Sequence, residues 1–164
     1  DTYENFIRSV ILVGEAVGCS SKAVRLTREL HKKMEGIKKN ADIAGRLQRP
    51  KVFIEIWSSP LMTAGGDTFI SFIVKNAGGL NIARDLKGYP ILNPETLLVR
   101  NPDVIILTSV KKQDFVKNPL WRNISAVKSG RVHEINPDIL VRPTMRLYDG
   151  CKQLFGWFYP QNNG

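Results

Sequence analysis

Three observations on the sequence predict its fold class. First, three short runs are rich in β-branched and aromatic residues: Lys51–Trp57 (KVFIEIW), Asp103–Thr108 (DVIILT) and Arg131–Ile135 (RVHEI). Second, segments with helical apolar spacing lie between and after them, and strands that alternate with helices pair in parallel. Third, residues 20–40 form a strongly charged segment with one thin apolar stripe, the pattern of a long helix with much wet surface. The prediction is an α/β chain: a small parallel sheet flanked by helices, Rossmann-like in plan, preceded by a long helix that spans between bodies of structure.

The elements follow in order. Residues 4–17 carry Phe6, Ile7, Val10, Ile11, Val13 and Val17 at helical period, and Gly18 closes the segment. Ser20 and Ser21 offer N-caps for the second helix, whose stripe is Ala23, Val24, Leu26, Leu30, Met34 and Ile37 and which reaches about Asn40. The polar stretch Lys38–Pro50 ends it. After the first strand, Ser58–Gly66 (SSPLMTAGG) reads as a loop, and Asp67 is placed to cap a helix running to Gly78-Gly79. Asn93-Pro94 opens a short helix that stops at Asn101-Pro102. The near-continuous apolar run in 103–108 marks a strand buried on both faces. Residues 112–128 read as helix in two pieces around Pro119, and Thr144–Phe158 closes the chain as an amphipathic helix. Open sheets of this kind bind ligands beyond the carboxyl ends of their strands, which points to the loops after Trp57, after Thr108 and after Asn136.

Composition narrows the function. The 164 residues suffice for one domain with a real core, and 43% are apolar, so the chain is not disordered. The longest apolar runs fall far short of the ~20 residues that cross a bilayer. No basic start followed by an apolar leader opens the sequence, a pattern shared by processed and truncated chains. The net charge of +9 is spread along the chain, 10 basic against 6 acidic residues in 1–50 and 14 against 9 afterwards. With no arginine-rich arm, no basic stretch interleaved with aromatics and no zinc-finger spacing, nucleic acid is not an expected partner. Cys19 and Cys151 have no CxxC partner and no nearby His at metal spacing, and His31 and His133 read as surface or structural residues. No GxSxG, P-loop, GxGxxG, HExxH or paired-carboxylate signature is present, so no enzyme activity and no bound cofactor is expected.

Residues 50–160 contain an ordered set of phrases: RPKVFIEIW-SSPLMTAGGDTFISFIVKNAGGLNIARDL, ETLLVRNPDVIILT, NPLWRNISAVKSGRVHEINPD, RPTMRLYDG and a terminal YPQ. The set resembles the C-terminal part of the extracytoplasmic solute-binding proteins of ABC importers for vitamin B12, iron-siderophores and haem. That family consists of two α/β lobes joined by one rigid helix, with the ligand in the cleft between them. The resemblance implies that residues 1–18 end a preceding lobe not contained in this chain, that 19–41 are the interlobe helix, and that 42–164 are the ligand-binding lobe. It implies capture of a metal chelate outside the cytoplasmic membrane and delivery to membrane permease subunits.

The resemblance also places residues. The segment Ile56–Thr68 corresponds to a loop facing the cleft, which makes Trp57, Ser58, Thr63 and Asp67 candidate ligand contacts. Tyr89 stands where relatives present an aromatic, and Arg142, in the R-P-T phrase, matches a cleft arginine that meets anionic or polar groups. Glu95 lies at a helix start where the family keeps an acid that docks on the permease. This chain departs from the family at Thr144 and Tyr159, where relatives carry Gly or Ser and a His-Pro. The residue chemistry agrees: Trp57 and Tyr89 are flat, stiff and amphipathic, and Arg142 is a planar fork suited to carboxylate or phosphate. Each has a plainer alternative, with Trp57 a core plug, Tyr89 a turn aromatic, Arg142 a partner of Asp138 or Asp149, Asp67 first a helix cap, and Glu95 favoured by the helix dipole whatever it docks with. Trp121 and Trp157 lie in helical patterns and read as packing residues. Two rival functions are a chelatase-like metal or tetrapyrrole enzyme, which needs His, Cys or Glu ligands gathered at the cleft, and a non-catalytic domain that dimerises through the stripe of the first helices.

Overall fold

The computed structural model describes residues 3–140 and 146–160. Two long helices come first, α1 (Tyr3–Ala16) and α2 (Ser20–Ala44), joined by a tight turn in which Gly18 adopts φ +70. Cys19, not a serine side chain, occupies the N-cap of α2 and makes no side-chain cap bond; both serines lie inside the helix. The helix also runs four residues past Asn40, because Ala41 continues the buried stripe Ala23, Thr27, Leu30, Met34, Ile37 and Ala41. Those positions alternate three and four apart, so they share one side of the helix. At Gly14 the two helices touch closely: an added Cβ would stand 2.4 Å from the Ala23 Cβ, so only glycine allows this approach.

The lobe follows as β1 (Lys51–Ser58), β2 (Leu61–Thr63), α3 (Phe69–Asn76), β3 (Leu80–Asn81), α4 (Pro94–Arg100), β4 (Val104–Leu107), α5 (Lys112–Lys117), a 3-10 turn (Pro119–Trp121), α6 (Ser125–Lys128), β5 (Val132–Glu134), α7 (Pro137–Leu140) and α8 (Leu147–Phe158). The three expected strands, β1, β4 and β5, pair in parallel in that order, and β3 pairs in parallel with the start of β1. The segment read as a loop contains β2, which pairs antiparallel with the end of β1 across a bulge between Glu55 and Trp57. Residues 112–128 form three short pieces rather than two.

Both faces of the sheet are covered. Val52, Ile54, Val104 and Ile106 pack on one side with α3, α8 and the stripe of α2. Phe53, Ile105, Leu107 and Val132 pack on the other with Leu97, Phe115, Trp121 and Ile124. Successive strand residues point to opposite faces, so this double burial is why the strands read as unbroken apolar runs. Tyr3 stacks on Phe72 at 5.0 Å between ring centres, and Phe6 and Ile7 join the same core, so α1 leans on the lobe as well as on α2. Asn-Pro pairs open three of the short pieces: the side chains of Asn93, Asn118 and Asn136 each accept from the backbone two residues on. Asn101-Pro102 does the reverse, ending α4 with Asn101 in the left-handed region at φ 41. No described helix is long and apolar enough to cross a membrane.

Candidate functional site

The carboxyl ends of β1 and β4 are built differently from the rest of the lobe. The segment after β1 turns back as β2 and runs on beside residues 86–92. Thr63 N–H donates to the Pro90 carbonyl at 3.1 Å, Gly65 N–H to Gly88 at 2.8 Å and Gly66 N–H to Leu86 at 2.9 Å. Gly66 must be glycine, since a Cβ there would stand 2.1 Å from the Arg84 carbonyl oxygen. Cross-strand pairing sets Trp57 opposite Met62, and Met62 opposite Ile91. Directly opposed residues of antiparallel strands share a face, so the three side chains form a row. Trp57 is 55% exposed and Ile91 66%, with Met62 half-buried between them.

Trp57 is therefore not a core plug. Its indole N–H donates to the Ser59 carbonyl at 2.9 Å, which fixes the ring and leaves its apolar surface bare. Tyr89, 45% exposed, sits on the neighbouring segment, its phenol pushed up by partial burial and then by the charge of Asp67. Asp67 does not cap α3. Thr68 does so, accepting from Ser71 N–H at 3.2 Å while donating to the Gly65 carbonyl at 2.7 Å. The Asp67 carboxylate instead accepts from Gly88 N–H at 2.7 Å and ties the two loop segments together. Thr63 is fully buried, and its hydroxyl has no hydrogen-bond partner among the described residues. Arg142 lies outside the described residues. Glu95 is exposed in the first turn of α4, on the same side as Val99 one turn on, itself 84% exposed.

Sequence reading missed Glu55. Its carboxylate is fully buried at the end of β1. Oε2 accepts from Thr108 N–H at 3.0 Å and Ser109 N–H at 3.1 Å, and Oε1 accepts from the Ser109 hydroxyl. The Thr108 hydroxyl donates to the Glu55 carbonyl at 2.9 Å, so the β4–α5 loop is fastened to β1 by side chain and backbone together. Ser58 faces Ser109 across 3.4 Å. Beside them Thr108, Ser109, Lys111, Glu134 and Asn136 line a depression of about 360 Å³ at the carboxyl ends of β4 and β5. The signal for Glu55 was an acid inside an otherwise apolar strand, which alternation alone assigns to solvent.

The two histidines do not meet at this edge. His31 pairs with Glu35 on α2 at 3.5 Å, and His133 stacks on Trp157 at 4.6 Å. Among the described residues no three His, Cys, Asp or Glu side chains are grouped to hold a metal ion. An apolar groove of about 660 Å³ lies between α1 and α2, lined by Ile7, Leu12 and Val24, and is separate from the strand ends.

The sequence matches the periplasmic binding protein family over residues 1–139. It is 30% identical over 161 residues to an uncharacterized ABC transporter substrate-binding lipoprotein of Bacillus subtilis, covering 97% of this chain and 51% of the relative. It is 26% identical over 168 residues to a cobalamin-binding protein of Halobacterium salinarum, covering 95% of this chain and 44% of the relative. The chain thus spans about half the length of the curated relatives it matches. Its structure is similar to that of a possible iron-binding (periplasmic solute-binding) protein from Staphylococcus epidermidis, with TM-score 0.85 and 26% identity over 96% of this chain and 63% of that one. A periplasmic heme binding protein from Pseudomonas aeruginosa shares the fold at TM-score 0.87 and 23% identity, over 96% of this chain and 60% of that one. With the mostly parallel sheet, its helical cover and the open carboxyl edge already in view, the match over 139 residues identifies the chain as a member of the periplasmic binding protein family.

Proposed function

We propose that this chain supplies the ligand-binding lobe and interlobe helix of an extracytoplasmic solute-binding component of an ABC importer, which captures a metal chelate and delivers it to the permease without chemistry of its own. One observation carries the reading: in a chain of this family, the row Trp57–Met62–Ile91, with Tyr89 beside it, is left uncovered at the carboxyl ends of the sheet. Such a platform suits the broad apolar face of a corrinoid, a tetrapyrrole or a siderophore chelate. The names of the relatives, cobalamin-binding in one and heme-binding in another, support that ligand class.

In this reading residues 42–164 are the lobe, α2 is the helix that holds the second lobe, and residues 1–18 end that second body while leaning on this lobe through Tyr3, Phe6 and Ile7. The exposed apolar residues Leu12, Val13, Val17 and Val24 at the far end of the α1–α2 pair give it a surface to cover. Ser58 and Asp67 edge the ligand face, Thr63 supports it from below, Arg142 meets polar ligand groups, and Glu95 docks on a cationic residue of the permease.

A thermal-shift screen against cyanocobalamin, haemin and a ferric hydroxamate tests the proposal, since a ligand bound only by the folded state raises the unfolding midpoint. One of the three is expected to raise it, and weakly for this chain alone, because half of the cleft is absent. No shift from any of them, with the chain or with its two-lobed form, defeats the proposal.

A further inference from the structure

Glu55 does more than fasten a loop. Its Oε2 accepts two backbone N–H groups, which can only donate, and its Oε1 accepts the Ser109 hydroxyl. Among the described residues it forms no ion pair. An ionised carboxylate is an acceptor only, while a serine has one proton to give and lone pairs to receive. Ser109, having given its proton to Glu55, presents only lone pairs to Ser58, whose oxygen stands 3.4 Å away. In this 3.4 Å contact the available donor is therefore Ser58. Ser58 is exposed at the end of β1, on the side of its cross-strand partner Leu61 and opposite to Trp57, so its remaining lone pairs are open only at the strand end.

We propose that the order Glu55–Ser109–Ser58 polarises Ser58 as a hydrogen-bond acceptor, making it a specificity-determining residue that takes an N–H or O–H of the ligand, such as a primary amide or hydroxyl, and disfavours a carboxylate. The inference rests on the ligand face proposed above and deepens it. A peripheral carboxylate brought to Ser58 would set acceptor against acceptor and leave a desolvated charge unpaired, a loss that a site built for a donor makes large. Glu55 itself touches no ligand and acts as a positioning residue, through the direction in which the two hydroxyl protons point.

Glu55→Gln tests this sharply, because the amide can keep both backbone contacts and reverse the two that lead through Ser109 to Ser58. Its carbonyl oxygen stays on the two backbone N–H groups, its NH2 donates to Ser109, the Ser109 proton turns to Ser58, and Ser58 offers a proton outward. The probes are cyanocobalamin and its monocarboxylic acids, in which one peripheral amide is hydrolysed. Wild type is expected to prefer the amide to at least one of the acids by about fivefold, the scale of one hydrogen bond. Ser58→Ala abolishes that preference, Glu55→Gln reverses it toward the acid, and adding Ser58→Ala to Glu55→Gln leaves no preference. An unchanged preference in Glu55→Gln, or one that survives the added Ser58→Ala, overturns the proposal.

A second measurement needs no ligand. In chain labelled with carboxyl-13C glutamate, the resonance missing from Glu55→Gln identifies Glu55. It should show a deuterium isotope shift from the Ser109 hydroxyl that Ser109→Ala removes. A resonance blind to Ser109 defeats the inference. If wild type binds no corrinoid, the choice of ligand class falls and the labelled spectrum still decides the order of the hydroxyls.

Discussion

The two ends of β1 and β4 handle polar groups differently, although at the carboxyl end of β5 Glu134 still closes on Lys111 and the Lys112 N–H. At the amino end Lys51, Asp85, Arg100 and Asp103 close on one another or on backbone carbonyls. Lys51 N–H donates to the Asp103 carboxylate at 2.8 Å, the Lys51 ammonium to the Arg100 carbonyl at 3.1 Å, and Arg100 forks onto both oxygens of Asp85 and reaches the Ile82 carbonyl. At the carboxyl end a buried carboxylate is met by neutral donors, a buried threonine hydroxyl has no described partner, and Trp57, Tyr89 and Ile91 are left in the open. A self-satisfied end holds strands together. An end with capacity to spare is where a ligand gains by arriving, because it covers apolar surface and completes polar groups already desolvated.

Substitutions at the two ends should therefore separate stability from binding. The largest effect is expected at Glu55→Ala, which strips the Ser109 N–H of its acceptor and leaves a buried space; chemical denaturation should show a loss of about 3 kcal/mol. Trp57→Ala comes next and in a different currency. Its ring is more than half exposed, so stability should change by no more than about 0.5 kcal/mol, whereas chelate affinity by calorimetry should fall about tenfold or more. Asp103→Ala at the closed end should do the reverse, costing about 1 kcal/mol of stability and leaving chelate affinity unchanged.

An effect of about the same size is a pH dependence at β5, in His133. Burial against Trp157, then the charges of Lys112 and Arg131, hold the His133 imidazole down to about 4 from its ordinary value near 6.5. Its folded form thus binds protons less readily than its unfolded form. The stability it contributes is present above about pH 6.5 and is lost as the pH falls toward 4. Because the ring is only half-buried, solvent screens the effect, and the loss is expected to be about 1 kcal/mol. Denaturation midpoints at pH 7 and pH 5 should differ less in His133→Phe than in wild type.

The parallel strands were legible in the sequence because burial on both faces demands unbroken apolar runs, and these stand out in 51–57 and 103–108. Trp57 and Tyr89 were singled out through their place in the ordered phrases, and both are about half exposed in the structure. Other features were hidden for physical reasons. In β2, Leu61–Thr63 is bracketed by Ser59-Pro60 and Gly65-Gly66, turn residues that outweigh three residues of strand character. The α3 cap shifted by one because Asp67 and Thr68 are both good caps, and the Gly88 N–H claimed the aspartate. The helix at Pro137–Leu140 carries the same Asn-Pro opening as α4 but is only four residues long, too short to leave an apolar period. Glu55 was hidden because its donors, Thr108 and Ser109, lie more than fifty residues away in sequence.

The claim that the carboxyl end is the ligand face is tested most directly by the fluorescence of Trp57. With Trp121 and Trp157 replaced by phenylalanine, Trp57 is the sole indole, and the chelate that raises the unfolding midpoint should quench it in a saturable way, with the affinity that calorimetry gives. Saturable binding by calorimetry with the Trp57 emission unchanged would place the ligand elsewhere and contradict the account.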